Sequence, residues 1–390
     1  MNKKNSFFTS VSLGTAAVWF STHCGAGFAS GTQELQYFSN HGWFGPLMPA
    51  ISMAIVALIM YVGLETARQT DLWNYNGWSK EAFSPIGRFG TLAMDFSIII
   101  TSIAATAASI ASGAQLISQT FGAPLLLGSA IMFVLITLLC IFGEKVVRNN
   151  AMVMTVAILT IITIIICLGL AKFWPDIVAL YSDKYVNPEA SKWSVTGSGG
   201  TTEGSVFNAV LWALTYAGFQ FGAVGGVASS FKGATTRNES KGAAIAGFVM
   251  NAIMLSGICL LIFSGMPEIY TDENARLLPT VYIVNQLDFP LLGVVYPILL
   301  FLALITTAVG FTFGMVQRLD PYVLKKMDNP FAKKCIISVV FLGICYGIST
   351  LGLMWVVQVA YKYLGIFNWI FLIIPLLILG LKNIKKRENA

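Results

Sequence analysis

Ten stretches of this chain are long and apolar enough to cross a lipid bilayer, and nearly every charged residue falls between them. A spanning helix takes about 20 predominantly apolar residues. The runs at 7–38, 44–66, 89–118, 123–143, 149–171, 206–230, 242–265, 290–317, 334–351 and 353–381 qualify, the first and sixth with glycine-rich interruptions. Hydrocarbon offers no partner to unpaired peptide groups, so a spanning segment must be a helix or part of a closed barrel. Runs of this length choose helix. Hydrophobic residues make up 56% of the chain and charged residues 11%, against about 25% charged in soluble domains. The expectation is an all-α membrane protein of about ten transmembrane helices with lipid as its solvent and no appended soluble domain.

The basic residues orient it. With both termini inside, the inner segments carry 19 of the 24 Lys and Arg residues, from Lys3 and Lys4 to Lys386 and Arg387. The outer segments carry Lys172, Lys184, Lys192 and Arg276, and Lys362 lies inside helix 10. That asymmetry is what the positive-inside rule requires, and one miscounted helix would scramble it. The expected location is the bacterial cytoplasmic (inner) membrane, multi-pass, with both termini cytoplasmic. The net charge of +6 therefore marks helix ends. No aromatic-basic patch or zinc spacing points to nucleic acid.

The halves repeat in organisation. Residues 7–171 hold five helices and 206–381 hold five more, separated by an outer loop at 172–205 and followed by a cytoplasmic tail at 382–390. Five is odd, so the second set enters from the opposite side. Each half opens on a glycine-interrupted helix, and in each a long polar loop, 67–88 or 266–289, follows the second helix. This is the trace of two inverted five-helix repeats within one transmembrane domain spanning 1–390.

Chemistry concentrates at the interruptions. Helix 1 carries Gly25, Ala26, Gly27, Phe28 and Gly31 just after Ser21 and Cys24. Glycine favours leaving the helix, and a break inside a bilayer is tolerated where its freed peptide groups line a cavity or meet a ligand. Amides near Gly25 to Gly27 would face an anionic group, and carbonyls near Ser21 and Cys24 would face a cation. The alternative use of such glycines is a close helix-packing face. Helix 6 matches with Tyr216, Ala217, Gly218, Phe219 and Gln220 before Gly222, aromatic cover with one neutral hydrogen-bonding side chain. In helix 8, the Ala303 carbonyl and the Thr306 and Thr307 hydroxyls offer three oxygens on one edge, as a hard cation wants. The alternative there is back-bonding to helix carbonyls.

Apart from Lys334 at the first position of its span, charge inside the spans is confined to Glu34, Glu65, Asp95 and Lys362, and such residues signal function or a pair. Glu34 and Lys362 are expected to face each other across an outer vestibule as a gate pair, with independent snorkelling as the alternative. Asp95 and Glu65 lie nearer the inner side, and His23 borders the break as a hydrogen-bonded residue. The six cysteines, Cys24, Cys140, Cys167, Cys259, Cys335 and Cys345, form no CxxC pair and read as free thiols in a helix bundle. The first 20 residues lack a cleavage site and read as retained.

The run Gly25-Ala26-Gly27-Phe28-Ala29-Ser30-Gly31, followed by Glu34 and Phe38, resembles the signature of the YkvI-type bacterial membrane proteins, and the resemblance extends over the whole chain. From Gly25 through His41-Gly42-Trp43-Phe44 to Glu65 the chain is more distantly similar to the neurotransmitter:sodium symporters and the amino acid–polyamine–organocation superfamily. Those share a five-plus-five inverted-repeat fold named for a bacterial leucine transporter. The resemblance implies a solute held between broken helices 1 and 6, flanked by helices 3 and 8. It also implies a sodium site from Ser21, Cys24, Ala303, Thr306 and Thr307. Two departures stand out. Glu34 and Lys362 reverse the signs of the relatives' gate pair, and Gln220 replaces a Glu often found after the helix 6 Gly-Phe. Some proton-coupled relatives place a Lys from helix 5 in the sodium site, and 149–171 contains no Lys or Arg.

The expected function is cation-coupled symport, with sodium as the cation and no organic cofactor. The cargo would be a small organic solute such as an amino acid or related amine or carboxylate, moved by alternating access. The competing class is a membrane-embedded amino-acid sensor or germinant-receptor-like subunit that binds without transporting. No HExxH, GxSxG or facing aspartate pair suggests an enzyme.

Overall fold

The computed structural model describes residues 6–23, 25–190, 192–193 and 204–389. Among these residues there is no strand, and nine helices are long and apolar enough to cross a membrane. They are helix 2 (Met48–Thr70), helix 3 (Gly87–Phe121), helix 4 (Leu125–Phe142), helix 5 (Glu144–Ser182) and helix 7 (Arg237–Phe263), together with helix 6 (Val206–Ser230), helix 8 (Pro290–Leu319), helix 9 (Pro330–Ser349) and helix 10 (Leu353–Glu388). The tenth span is the first in the chain. It is cut into helix 1a (Ser10–His23) and helix 1b, itself two pieces, Ala26–Ser30 and Thr32–Tyr37.

Local sequence sets several helix starts. Thr236 and Glu239 form a reciprocal capping box at helix 7, which satisfies backbone donors that the first turn leaves free. Asn329 caps helix 9 by accepting from the Phe331 and Ala332 amides, with Pro330 at the first helical position. Leu126, Leu138 and Phe142 on helix 4, and Val340 and Ile344 on helix 9, point outward with much of their surface uncovered. In water such faces would be a liability. Against lipid tails they cost nothing.

The packing carries a two-fold regularity. Helix 1a packs on the second part of helix 6, helix 2 on helix 7, helix 3 on helix 8 and helix 4 on helix 9, so four helices of the first half meet their counterparts five later. Helix 1a lies on helix 7 as helix 6 lies on helix 2, and helix 5 lies on helix 8 as helix 10 lies on helix 3. Two five-helix repeats of opposite orientation produce this pattern. The first and last described segments lie by the start of helix 7, where Phe7 crosses Gly242 and Glu388 pairs with Arg237 at 2.8 Å. That side is called the terminal face, and the opposite side, which carries residues 266–289, the hairpin face.

Four boundaries differ from expectation. Helix 5 runs to Ser182, eleven residues past the expected end at 171. Lys172 and Asp176 interrupt the hydropathy there, yet Ile177 is buried while Trp174 and Val178 face outward. The amphipathic stripe thus continues through Pro175. The polar loop at 67–88 contains a helix (Tyr75–Ala82), and 266–289 folds into three short helices, Glu268–Thr271, Glu273–Leu277 and Pro279–Asn285. The expected tail at 382–390 stays helical through Glu388.

Candidate functional site

Helix 1 breaks as its glycines suggested, and in two places. Gly25 is extended (φ −84°, ψ −164°), and helix 1b resumes at Ala26 with no side chain capping its amides. The Gly25 amide bonds to the His23 carbonyl at 2.8 Å, so the Ser21 carbonyl loses its helical donor. The second break, absent from the sequence reading, is Gly31. Its φ of 81° is left-handed, and a Cβ there would stand 2.4 Å from Thr280 Oγ1. Only glycine satisfies both demands.

His23 ties the end of helix 1a to two neighbours. Asn251 Nδ2 donates to the Gly247 carbonyl at 2.7 Å, which turns Asn251 Oδ1 toward the imidazole. His23 Nδ1–H then donates to that oxygen at 2.6 Å, and His23 Nε2 accepts from the Tyr216 hydroxyl at 2.7 Å. This assigns the tautomer from the network. The ring is a hydrogen-bonded strut between helices 1, 6 and 7.

At the break lies a cavity of ≈ 480 Å³. Among the sequence-derived solute residues, Gly25, Gly27, Phe28, Phe219 and Gln220 line it, and Ser21, Ala303, Thr306 and Thr307 line the same space. The proposed solute and cation residues thus converge on one chamber. Cys24 lies outside the described residues, and Ala26 opens helix 1b. The Thr306 hydroxyl donates to the Ala303 carbonyl at 3.0 Å, which is the back-bonding alternative. That bond uses the hydroxyl proton and leaves oxygen lone pairs available to a cation.

Tyr216, Ala217 and Gly218 are a correction. They do not line the cavity. Tyr216 is fully buried behind it against His23, and Gly218 is a packing glycine whose Cβ would meet the Gly365 carbonyl of helix 10 at 2.6 Å. Helix 6 also interrupts differently from helix 1. Gln220–Gly222 form one 3₁₀ turn, and Phe219, Gln220, Gly222 and Ala223 all keep right-handed helical dihedrals. The sequence reading missed Gln33, Thr101, Thr155, Phe311 and Tyr361, which complete the wall from helices 1b, 3, 5, 8 and 10. Isolated polar or aromatic residues in apolar helices were their only signal.

The cavity extends from the break toward the terminal face along Ile98, Met154, Gly310 and Phe311. Toward the hairpin face it is shut by rings. Phe219 stacks on Tyr361 at 4.9 Å, and Tyr216, Tyr37 and Phe38 pack above them at 4.8–5.6 Å between centroids. The Tyr37 hydroxyl donates to the Val357 carbonyl at 2.9 Å, and Gln358 donates to Gln36 at 2.7 Å. Both bonds fasten helix 1b to helix 10. A chamber of ≈ 30 Å³ remains just beyond Gln33, bordered by Ser112 and Leu353.

The gate pair is a second correction. Glu34 and Lys362 are both buried, yet they do not pair. Helix 1b meets helix 7 at Glu34, where Cys259 Sγ approaches the Glu34 main-chain carbonyl at 4.0 Å, and neither Glu34 carboxylate oxygen has a hydrogen-bond partner. Lys362 instead lies over the rings of Trp193, Trp212 and Tyr363 at 5.6–5.9 Å. Among the described residues, the contacts between helix 1b and helix 10 on this face are the aromatic layer and the Tyr37 and Gln36 hydrogen bonds. On the terminal face Asp95 pairs with Arg318 and accepts from the Tyr75 hydroxyl. Burial, reinforced by the Asp95 carboxylate, pushes the Tyr75 phenol up to about 12, so it remains a donor at neutral pH. Glu65 accepts from Arg68 at 2.6 and 2.9 Å and from Ser240 at 2.7 Å.

No family model and no curated protein matches the sequence. Solved structures do match the fold. A Na+-coupled sialic acid symporter in a substrate-bound outward-open state aligns with TM-score 0.54 at 14% identity, covering 95% of this chain and 78% of that one. MhsT in complex with L-phenylalanine aligns with TM-score 0.52 at 14% identity, covering 92% and 88%. Mhp1 in its inward-facing conformation gives TM-score 0.57 at 13% identity, covering 94% and 76%. These are transporters of the five-plus-five inverted-repeat fold. The chain has that fold. A closed form of Mhp1 with bromovinylhydantoin bound aligns less well, with TM-score 0.53.

Proposed function

We propose that this chain is a secondary active transporter, a sodium-coupled symporter that carries a small organic solute by alternating access. The observation that carries the reading is the cavity at the helix 1 break, extended toward one membrane face and shut from the other by an aromatic layer. A binding site at mid-bilayer with access from one side at a time is what alternating access requires. The better alignment to the inward-facing form of Mhp1 supports taking this as the state open toward the terminal face. The basic residues assign that face to the cytoplasm.

No Asp, Glu, Lys or Arg lines the cavity among the described residues. An organic solute of net charge would lose hydration there without a charged side chain to offset it, whereas a bare cation can be met by the Ser21 and Ala303 carbonyls and the Thr306 and Thr307 hydroxyls. The solute class is therefore neutral or zwitterionic, with an amino acid or related compound fitting both the volume and the backbone chemistry of the break. Its carboxylate would meet the uncapped helix 1b amides, and its apolar part Phe28, Phe219 and Tyr361. Sodium would bind the Ser21 carbonyl, the Ala303 carbonyl and the Thr306 and Thr307 oxygens, with Cys24 as a further ligand. Oxygen donors without a carboxylate suit a weakly bound, exchangeable cation. The same reading groups the chain with the YkvI-type proteins and takes 7–171 and 206–381 as its two repeats.

The double substitution Thr306→Ala plus Thr307→Ala tests the cation site. In proteoliposomes it should abolish the sodium-dependent part of solute uptake. Uptake with undiminished sodium dependence would remove these hydroxyls from the site.

A further inference from the structure

One buried acid has no place in this scheme. Glu34 is completely buried in helix 1b, and neither carboxylate oxygen has a hydrogen-bond partner. It lies on the sealed side, away from the solute and cation oxygens. We propose that Glu34 is a proton-binding site of the outer pathway: a proton taken from the solution on the hairpin face neutralises its carboxyl and permits helix 1b to seal that face. This inference rests on the alternating-access reading above and adds a pH-controlled step to it.

An ionised carboxylate without water, donor or cation costs far more than a neutral carboxyl, and a group so placed neutralises instead. Among the described residues no Lys or Arg bonds to the Glu34 carboxylate, and Lys362 of helix 10 lies over the Trp193, Trp212 and Tyr363 rings. Cys259 of helix 7, Tyr296 of helix 8, Tyr216 of helix 6 and Tyr282 in Pro279–Asn285 are neutral side chains. The Tyr296 hydroxyl is committed to the Ala29 carbonyl. His41 stands against Trp212, and neither ring nitrogen has a partner. Arg276, in the short helix Glu273–Leu277 that packs on helix 1b, has its guanidinium over the Tyr270 ring at 5.9 Å. Glu273 of the same short helix is exposed, and Arg237, Glu239 and Lys241 sit at the far end of helix 7.

Helix 1b is also built to move. It is separated from helix 1a at Gly25 and bent again at Gly31, three residues before Glu34. Swinging it away from helix 10 would break the Tyr37 and Gln36 bonds and bring Glu34 to water. There the carboxyl can release its proton to the solution on the hairpin face, and the carboxylate then opposes resealing. The sign follows. The sealed state is favoured while the solution is acidic enough to keep Glu34 protonated, and that preference fades as pH rises. The proton binds and leaves on one side, so Glu34 sets the balance of conformations and need not carry a proton across.

Two measurements test this on the full chain in lipid, and neither needs the solute. Infrared difference spectra of the wild type against Glu34→Gln should show a protonated-carboxyl carbonyl band that the variant lacks. Absence of that band overturns the proposal. The second uses Ser112→Cys, in the small sealed chamber, in a background without the native cysteines. Its modification by a membrane-impermeant thiol reagent, divided at each pH by the rate of the same cysteine in the unfolded chain to remove thiol ionisation, should accelerate with rising pH, by up to about tenfold per pH unit for one linked proton. Adding Glu34→Gln should make this corrected rate slow and flat with pH. A flat profile in the parent, or an unchanged profile in the double variant, overturns the sealing role. Complete protection of the thiol at every pH, with the infrared band intact, overturns it by a different route, because the outer pathway itself would then not open.

Discussion

Helices 1 and 6 hold glycine clusters at corresponding positions of the two repeats, yet they spend them differently. In helix 1 the glycines take up dihedrals that a helix lacks, extended at Gly25 and left-handed at Gly31. In helix 6 the chain stays helical, tightened into one 3₁₀ turn, and Gly218 is used for close approach to Gly365 of helix 10. One break frees peptide groups beside the cavity. The other brings two helices within backbone contact. Glycine content alone does not separate these uses, because loss of Cβ serves both.

Substitutions by alanine separate them, with effects that should fall in a definite order. Gly31→Ala should be the most damaging. The left-handed backbone costs a non-glycine residue about 1–2 kcal/mol, and the contact with Thr280 adds to it. Thermal unfolding in detergent should show a large drop in Tm, and an unchanged Tm would refute the bent geometry of helix 1b. Gly218→Ala comes next. Its Cβ would press on the Gly365 carbonyl and Trp369, an overpacking strain of about 1–3 kcal/mol seen in the same melt.

Tyr37→Phe removes the bond to the Val357 carbonyl while keeping the ring. A loss of about 1 kcal/mol should accelerate thiol labelling of Ser112→Cys several-fold at fixed pH, with little change in Tm. An unaltered labelling rate would mean that this bond does not hold the outer face shut. Gly226→Ala should be the mildest. It lies in the regular part of helix 6 with open space around it, and alanine should stabilise the helix by up to about 1 kcal/mol. A clear destabilisation there would mean that helix 6 is more distorted than described.

The membrane architecture was legible because it rests on one length rule and one charge rule, and both are read directly from residues. The position of the helix 1 break was legible for the same reason, since Gly25-x-Gly27 has few roles inside a bilayer. What stayed hidden depends on which way a side chain turns. Tyr216 and Phe219 are neighbours on one helix, yet only Phe219 reaches the cavity. Glu34 and Lys362 invited pairing as opposite charges on facing helices, but charge fixes attraction and not direction. Gly31 looked like one more small residue, because its partner Thr280 is 249 positions away. The three short helices of 266–289 escaped notice for lack of any sustained apolar period.

The most direct test of transport is flux. A thermal-shift screen of amino acids and amines, with and without sodium, would identify a stabilising solute, which is then offered to proteoliposomes under an inward sodium gradient. The account predicts accumulation that collapses when the gradient is dissipated. A solute that stabilises the protein in a sodium-dependent way but never crosses, whatever gradient is imposed, would contradict transport and make this chain a membrane-embedded sensor.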